Sequence, residues 1–521
     1  MSDSAGRLEF SLIERSGREL NKENVSVEAA SVNSKLDGDE ALKLVGTERT
    51  AEFSSEYNFA LRKKLDRTIP PLCAAVYFTQ YLDKTSLNYA SIMGLPITGQ
   101  KYNLVSMAFY IGYLVWEFPT VYISQKLRVA KYLGFNILAW GAVLMLHAVG
   151  TSFPAFFVLR VLLGMLESCV APILIQIVTM FYKKDEQGSR ISWFYVMNGL
   201  THIFGGFLAY GVSFYDGDLI APFKIIYILL GGLAIVVGIC VLVWLPDSPI
   251  HAKFLTEEER IAVLERVRDD QGGTLNKTLK RRQVIEALTD VRTWLVVLST
   301  MLCSLPNGGI SNFSNKIVKG FGYTSKETLI LSTPYGVFAA LMTIFVGWYS
   351  DKKGERMVPI IFAILPTIFG AAILIGLNDS GNKGALLFGS YLIGTFGSAL
   401  AVIYAYNASN TSGHTKKSTV NAMTMATFSI GNIAGSEIFQ AKDAPSYIPG
   451  KVAVMVIFCV QIGVTFILRW MNIRLNQKKR VALDAEIAKK GWTDADVQKE
   501  RDRHAFMDLT DLENPYFMYT P

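Results

Sequence analysis

The sequence predicts an all-α membrane protein with twelve transmembrane helices in two six-helix halves and both termini in the cytosol. Three observations predict it. Of the 521 residues, 51% are hydrophobic and only 18% charged, with a mean hydropathy of +0.29, a balance unusual in soluble proteins. Apolar runs of about 20 residues recur, each long enough at about 1.5 Å per residue to cross a hydrocarbon core of roughly 30 Å. Basic residues gather in alternate short loops, which orients those loops inward.

Residues 1–66 are rich in Ser, Glu, Lys and Asn and lack the uninterrupted apolar stretch of a cleaved signal peptide, so they read as a disordered cytosolic tail. The first half, 67–245, holds runs at Ile69–Ile92, Asn103–Ser124, Tyr132–Gly150, Phe153–Tyr182, Ile191–Phe214 and Phe223–Leu245. A cytosolic connector, 246–291, contains a capping box in which Thr256 precedes Glu259 ahead of an apolar-periodic helix. The second half, 292–472, holds Arg292–Asn315, Leu329–Tyr349, Met357–Leu377, Ala385–Ala405, Val420–Phe439 and Val452–Met471. Residues 473–521 read as a charged cytosolic tail, suited around Val481–Ile487 either to the membrane surface or to solution. Arg62, Lys63, Lys64 and Arg67, then Lys126, Arg128 and Lys131, then Lys183, Lys184 and Arg190, then Lys352, Lys353 and Arg356 mark the inner side. Lys316, Lys319 and Lys326 fall outside and weaken the asymmetry.

The net charge of +7 points to topology signals, because the basic residues form no stripe for a nucleic acid. The five cysteines lie in apolar runs without metal-ligand spacing, so no metal site is expected. No nucleophile triad or P-loop reads convincingly, and the chain is expected not to be an enzyme.

Charges inside spans are informative, since each costs about 2.5–3.5 kcal/mol or more unless it is paired or faces a cavity. Span one carries Tyr81, Asp83, Lys84 and Asn88; span two Tyr110, Tyr113 and Glu117; span four Arg160 and Glu167. Adjacent Asp83 and Lys84 point about 100° apart on a helix and need separate partners. Tyr81, Lys84 and Asn88 share one stripe, while Asp83 turns toward a neighbouring helix, with Arg160 as its first candidate. Three carboxylates face two cations, and the surplus acid is a natural proton acceptor. A substrate carboxylate would meet Lys84 and Arg160 as cations and Tyr81, Tyr113 and Asn88 as hydrogen-bonding groups. The alternative is a buried ion-pair network that sets helix register. In the second half, Pro306-Asn307-Gly308-Gly309 is expected to bend span seven toward a cavity or to be a kink packed by neighbours, and Asn312 follows it. Asn407 lines the exit of span ten, and His414 reads as a loop residue with a proton relay as the alternative.

Between spans eight and nine, Gly347, Asp351, Gly354 and Arg356 stand in the order G-x3-D-x2-G-x-R. This resembles the loop signature of the major facilitator superfamily and implies a gating role for Asp351, Gly354 and Arg356. The corresponding first-half loop, Ser124–Lys131, keeps its charge and lacks the Asp and Gly. Asp83-Lys84-Thr85 in span one, Arg160 through Glu167 in span four, Leu245-Pro246-Asp247-Ser248-Pro249 in the connector, Gly413-His414-Thr415-Lys416, and Glu513-Asn514-Pro515 together resemble the anion:cation symporter family, and within it the fungal allantoate permease group. The resemblance implies proton-coupled uptake of small organic anions by alternating access, with Asp83 and Glu167 as proton-coupling residues. Substrate-binding candidates are then Tyr81, Lys84, Asn88, Tyr113, Arg160, Asn307, Asn312 and Asn407.

The expectation is therefore a multi-pass plasma-membrane transporter, monomeric in the lipid bilayer. It would import a carboxylate nutrient such as allantoate, ureidosuccinate, a dipeptide or a vitamin-like acid, with the proton as coupling ion, no cofactor and no nucleic-acid partner. An uncoupled facilitator and a non-transporting nutrient sensor of the same fold are the alternatives.

Overall fold

The computed structural model describes residues 53–215, 219–268, 280–493, 496–497 and 509–521. It is all-helical there, and the twelve spans appear in order. Span one is a single helix, Ser55–Ser91, capped by the Ser54 side chain on the Tyr57 amide, so helix begins ahead of the apolar run. Spans two and three are Gln100–Lys126 and Val129–Leu146. Span four is Phe153–Glu167 and Val170–Phe181, and span five Lys184–Tyr195 and Met197–Val212, each interrupted near its middle. Span six is Pro222–Trp244. In the second half follow Val291–Lys319, then Ser325–Leu331 with Pro334–Lys353, then Met357–Gly376. Span ten is Lys383–Ile393 and Gly397–Asn410, joined by a 3-10 turn, before His414–Gly435 and Ile448–Lys490.

Nine of these segments are long and apolar enough to cross a membrane by composition alone. Spans one, five and eleven fall short of that measure, for a physical reason: they carry polar groups toward the centre of the bundle, where protein and cavity replace lipid. The packing repeats between halves. Span three packs on six and nine on twelve; one on five and seven on eleven; two on eleven and eight on five across the seam. That is the pattern of two related six-helix units.

Two expectations are refined. At Pro306-Asn307-Gly308-Gly309 the span-seven helix runs on without a break and is packed closely by span eleven, the second of the two readings. The glycines serve close approach instead, since a Cβ on Gly308 would lie 2.3 Å from the Asn432 carbonyl oxygen and one on Gly435 2.0 Å from that of Leu305. The segment following span twelve divides in two: its helical part is largely exposed, in line with the solvated reading, and its end docks on the protein. Val481–Ile487 prolongs the span-twelve helix, and Leu509–Pro521 folds back onto the cytosolic ends of the second half.

The Thr256–Glu259 capping box forms as expected, and Glu259 also binds Lys64 at 2.7 Å. A second connector helix, Arg281–Thr289, leads into span seven. Hydrogen bonds that cross between the halves gather at the outer ends. Asn88 donates to Ser314 (2.8 Å), the Tyr102 hydroxyl to the Asn312 carbonyl (2.8 Å), Asn103 to the Phe439 carbonyl (3.3 Å) and Gln100 to Glu437 (3.0 Å). The arrangement is closed toward the outside.

Candidate functional site

Because Asp83 and Lys84 are neighbours on one helix, they face different surroundings. Asp83 is completely buried and points toward Arg160 and Trp140. Lys84 points to the seam between halves, where its ammonium lies 5.2 Å from the ring centre of Tyr81, 5.5 Å from Tyr110 and 6.0 Å from Phe428 of span eleven. Three aromatic faces around a cation hold it without neutralising it, which leaves it available to an anion.

Arg160 does not contact Asp83 as an ion pair. Its guanidinium donates to Ser86 Oγ at 3.2 Å, and Ser86, one turn beyond Asp83, donates to the Asp83 carbonyl at 2.6 Å. Glu167, also completely buried, lies within electrostatic reach of Asp83, Arg160 and Lys84, and Gln80 donates to its backbone carbonyl at 3.3 Å. Among the described residues, the carboxylate oxygens of Asp83, Glu117 and Glu167 make no well-formed hydrogen bond, with Trp140 beside Asp83 and Gln80 beside Glu167 as the nearest donors. Fixed buried carboxylates of this kind are costly as a purely structural network. They suit a site whose charges are completed by a mobile proton or a ligand.

The span-four break places Glu167 at a helix end, with Ser168 and Cys169 carrying the chain to Val170. Gly164 brings that end against span two: a Cβ there would lie 1.9 Å from the Phe109 carbonyl oxygen. Tyr113 packs on Phe109 and on Phe428 (6.4 Å between ring centres), and Glu117 sits beside Tyr113 and Tyr404 toward the cytosol.

The structure thus brings together Tyr81, Asp83, Lys84, Tyr113, Arg160 and Glu167. Asn307 stands nearby on span seven, donating to Asn432 of span eleven at 2.7 Å. Three other candidates are placed elsewhere. Asn88 belongs to the outer closure, its amide spent on Ser314 and its oxygen on the Asn315 amide. Asn312 donates to Gly308 of its own helix at 2.9 Å while its carbonyl holds Tyr102. Asn407 ties span ten to Asn421 at 2.8 Å and accepts from Thr411, at the cytosolic end. In the loop between spans eight and nine, Gly354 closes the helix with φ +63°, which favours glycine, and Arg356 donates to Ser350 Oγ at 2.6 Å. The side chains of Asp351 and His414 lie outside the described residues.

His202 is a site residue that sequence reasoning missed. Its ring stands edge-on between Tyr81 of span one (5.8 Å) and Tyr335 of span eight (4.7 Å), close to Lys84 and on the seam. The signal is a histidine within an apolar span, which on its own reads as an ordinary core residue. Phe428 and Ser86 carried no such signal, since one aromatic or hydroxyl in a helix reads like any other. Among the described residues, no cluster of His, Cys, Asp and Glu could hold a metal.

Comparison with known proteins bears on this geometry. The sequence pattern described as Major Facilitator Superfamily matches residues 73–436. Allantoate permease of Saccharomyces cerevisiae is 36% identical, with 92% of this chain and 90% of the relative covered. A thiamine pathway transporter of the same yeast is 32% identical over 91% and 89%, and its high affinity cysteine transporter 29% over 90% and 92%. In fold, the chain is similar to a bacterial homologue of the human lysosomal transporter Spinster, solved inward-facing and unoccupied. The TM-score is 0.57 at 14% identity, covering 77% of this chain and 96% of that one.

Proposed function

The chain belongs to the Major Facilitator Superfamily, and on that premise we propose that this multi-pass membrane transporter imports a small organic anion across a fungal plasma membrane in symport with protons. The observation that carries the reading is the pair of cations at the centre of the bundle. Lys84 lies among aromatic rings and Arg160 donates to a serine hydroxyl, neither in a direct ion pair among the described residues, while the carboxylates of Asp83 and Glu167 stand within electrostatic reach. An anionic ligand can engage both cations if the neighbouring carboxylates take up positive charge, and a proton is the smallest carrier of it.

The cycle follows from that coupling. With the outside open, a proton enters on Glu167 or Asp83 and weakens its attraction for Lys84 and Arg160. The substrate carboxylate takes their place against the cations, with Tyr81 and Tyr113 beside it. The neutralised site then favours closure of the outer seam through Asn88, Tyr102 and Gln100, which is the arrangement seen here. Release of substrate to the cytosol and deprotonation restore the charges. The transporter works as a monomer with no cofactor beyond the proton. The relatives named for allantoate, thiamine-pathway and cysteine transport support a nutrient cargo, and allantoate-like ureido acids head the candidates.

The test is uptake of labelled allantoate, ureidosuccinate, a dipeptide and cysteine into cells lacking their own carriers, at acidic pH, with and without a protonophore. Accumulation of one compound that the protonophore abolishes supports the reading, and Glu167→Gln should abolish that accumulation while leaving downhill exchange. Accumulation by Glu167→Gln equal to wild type would remove Glu167 from the coupling role.

A further inference from the structure

The segment Leu509–Pro521 is held against the second half by contacts from five elements. Asp511 is completely buried and pairs with Arg292 at the start of span seven and with Lys416 at the start of span eleven, 2.8 Å away. The Tyr519 ring lies 4.1 Å from the Arg292 guanidinium. From span twelve, Lys479 donates to the backbone carbonyls of Asp511, Asn514 and Phe517, and Asn476 accepts from the Tyr519 amide at 2.8 Å. From span ten, Asn410 accepts from the Thr520 amide at 2.6 Å. The Arg356 amide, after span eight, donates to the Pro521 carbonyl at 2.9 Å.

Thr510 closes this contact on the connector. Its hydroxyl donates to Glu286 Oε2 at 3.0 Å, and Thr510 Oγ1 accepts from the Glu513 amide at 3.1 Å while the Glu513 carboxylate accepts from the Thr510 amide. Thr510 is fully buried, and its methyl would lie 3.1 Å from a Cβ added to Gly413, so the pocket has no spare volume. Its charges are already matched. Glu286, Asp290, Asp511 and Glu513 face Arg282, Arg292, Lys416 and Lys479, and each of these cations has a partner in place.

We propose that Thr510 is a phosphoacceptor site and that phosphorylation there releases Leu509–Pro521 from the second half. A protein kinase transfers the γ-phosphoryl group of ATP to Thr510 Oγ1: the new O–P bond forms as the bond to the β-phosphate oxygen breaks, ADP leaves, and the hydroxyl proton passes to solvent. Asp508, Asp511 and Glu513 around the threonine fit a kinase that selects acidic flanks. The reaction occurs on the undocked fraction, because the docked hydroxyl is inaccessible. Redocking is then opposed by about −1.5 to −2 units of new charge beside Glu286 and Glu513, in a pocket too tight for three more oxygens. The modification thus draws the population to the released form. Release removes the Thr510–Glu286 and Asp511 contacts and strips Lys479 of its carbonyl partners, while Gln283, Glu286 and Asp290 still tie the connector helix and Arg292 to the start of span eleven.

Hydrogen exchange on the purified full chain in lipid nanodiscs tests this. In wild type the Tyr519 and Thr520 amides should be protected. Thr510→Glu, and wild type treated with an acid-directed kinase and ATP, should exchange there at least tenfold faster, while Thr510→Ser stays protected and Asp511→Asn opens as the positive control. Retained protection of the Asn315 amide in the outer closure shows that a variant is folded. Three results would each overturn the proposal: Thr510→Glu exchanging within twofold of wild type while Asp511→Asn opens, Thr510→Val opening as far as Thr510→Glu, or kinase treatment leaving Thr510 unmodified.

Discussion

Replacing Gly164 with alanine tests whether the close approach of spans two and four sets the central charges. The added Cβ would lie 1.9 Å from the Phe109 carbonyl oxygen and 2.9 Å from the Tyr113 nitrogen, both backbone atoms that no rotamer change can clear. Reaching even 3.0 Å requires the helices to part by about 1.1 Å (from 1.9 to 3.0). Gly112 holds the facing position, its own Cβ falling 2.0 Å from the Val161 carbonyl oxygen, so the pair cannot yield by sliding. Arg160 lies one turn before Gly164 and Glu167 just under one turn after, and both move with it. About a third of that displacement along the Arg160–Ser86 contact takes it from 3.2 Å past hydrogen-bonding range. Overpacking costs about 1–3 kcal/mol and a lost hydrogen bond to a charged donor about 1.5–3. Thermal unfolding of the purified protein should therefore fall by about 5 °C or more, and uptake by at least about tenfold, since each 1.4 kcal/mol is a factor of ten. Gly463→Ala, with open space around it, is the control and should keep both values. A Gly164→Ala protein with the wild-type midpoint and wild-type uptake would refute the argument that this contact positions Arg160 and Glu167.

Lys84→Gln should raise the KM for substrate by about 10- to 150-fold, the equivalent of about 1.5–3 kcal/mol for a charged hydrogen bond, and Lys84→Arg should recover part of it; equal KM in all three proteins would remove Lys84 from substrate binding. Tyr102→Phe deletes the buried bond to the Asn312 carbonyl, worth about 1 kcal/mol, so a cysteine at Ser106 on the outer seam should react about fivefold faster with a membrane-impermeant thiol reagent. An unchanged rate would show that this bond does not hold the seam shut. For Asp511, burial raises the carboxyl, but Arg292 and Lys416 together outweigh it and hold the group below its ordinary 3.8. A depressed value means that its contribution to docking is full above about pH 3.8 and is lost as the pH falls through the lowered value. The Tyr519 and Thr520 amides should stay protected from pH 7 to about 4 and open below; opening between pH 7 and 5 would contradict the ion pairing.

Much of the architecture is local and was legible in the chain. Apolar length and the inward charge of alternate loops define spans and orientation through the solvent on either side, with no knowledge of neighbours. Asp83, Lys84, Arg160 and Glu167 stood out for the same reason: a charge in an apolar run is anomalous wherever it packs. Their partners were not legible. Asp83 faces Arg160 as expected, but helix rotation puts Ser86, and not the carboxylate, in hydrogen-bonding contact with the guanidinium. Phe428 and His202 join Lys84 from spans eleven and five, more than one hundred residues away in the chain. Asn88, Asn312 and Asn407 read as cavity residues because an asparagine in a span needs a partner, but the outer seam, the helix backbone and Asn421 supplied those partners. Gly308 and Gly309 left open a bend toward a cavity or a packed kink because a glycine's local effect is flexibility, while its effect in the bundle is to let span eleven approach.

The docking of Leu509–Pro521 is the same lesson at larger scale. By composition it is one more charged tail, and only the convergence of Arg292, Lys416, Lys479 and Asn410 on one surface makes it part of the second half. Which stretches enter the membrane, which way they face and which charges must be satisfied within it can be read from the residues alone, since transfer from water to hydrocarbon is felt residue by residue. The tertiary structure decided what satisfies each of those charges, because successive residues on a helix point about 100° apart and the neighbour each one meets depends on how all twelve helices are turned and packed.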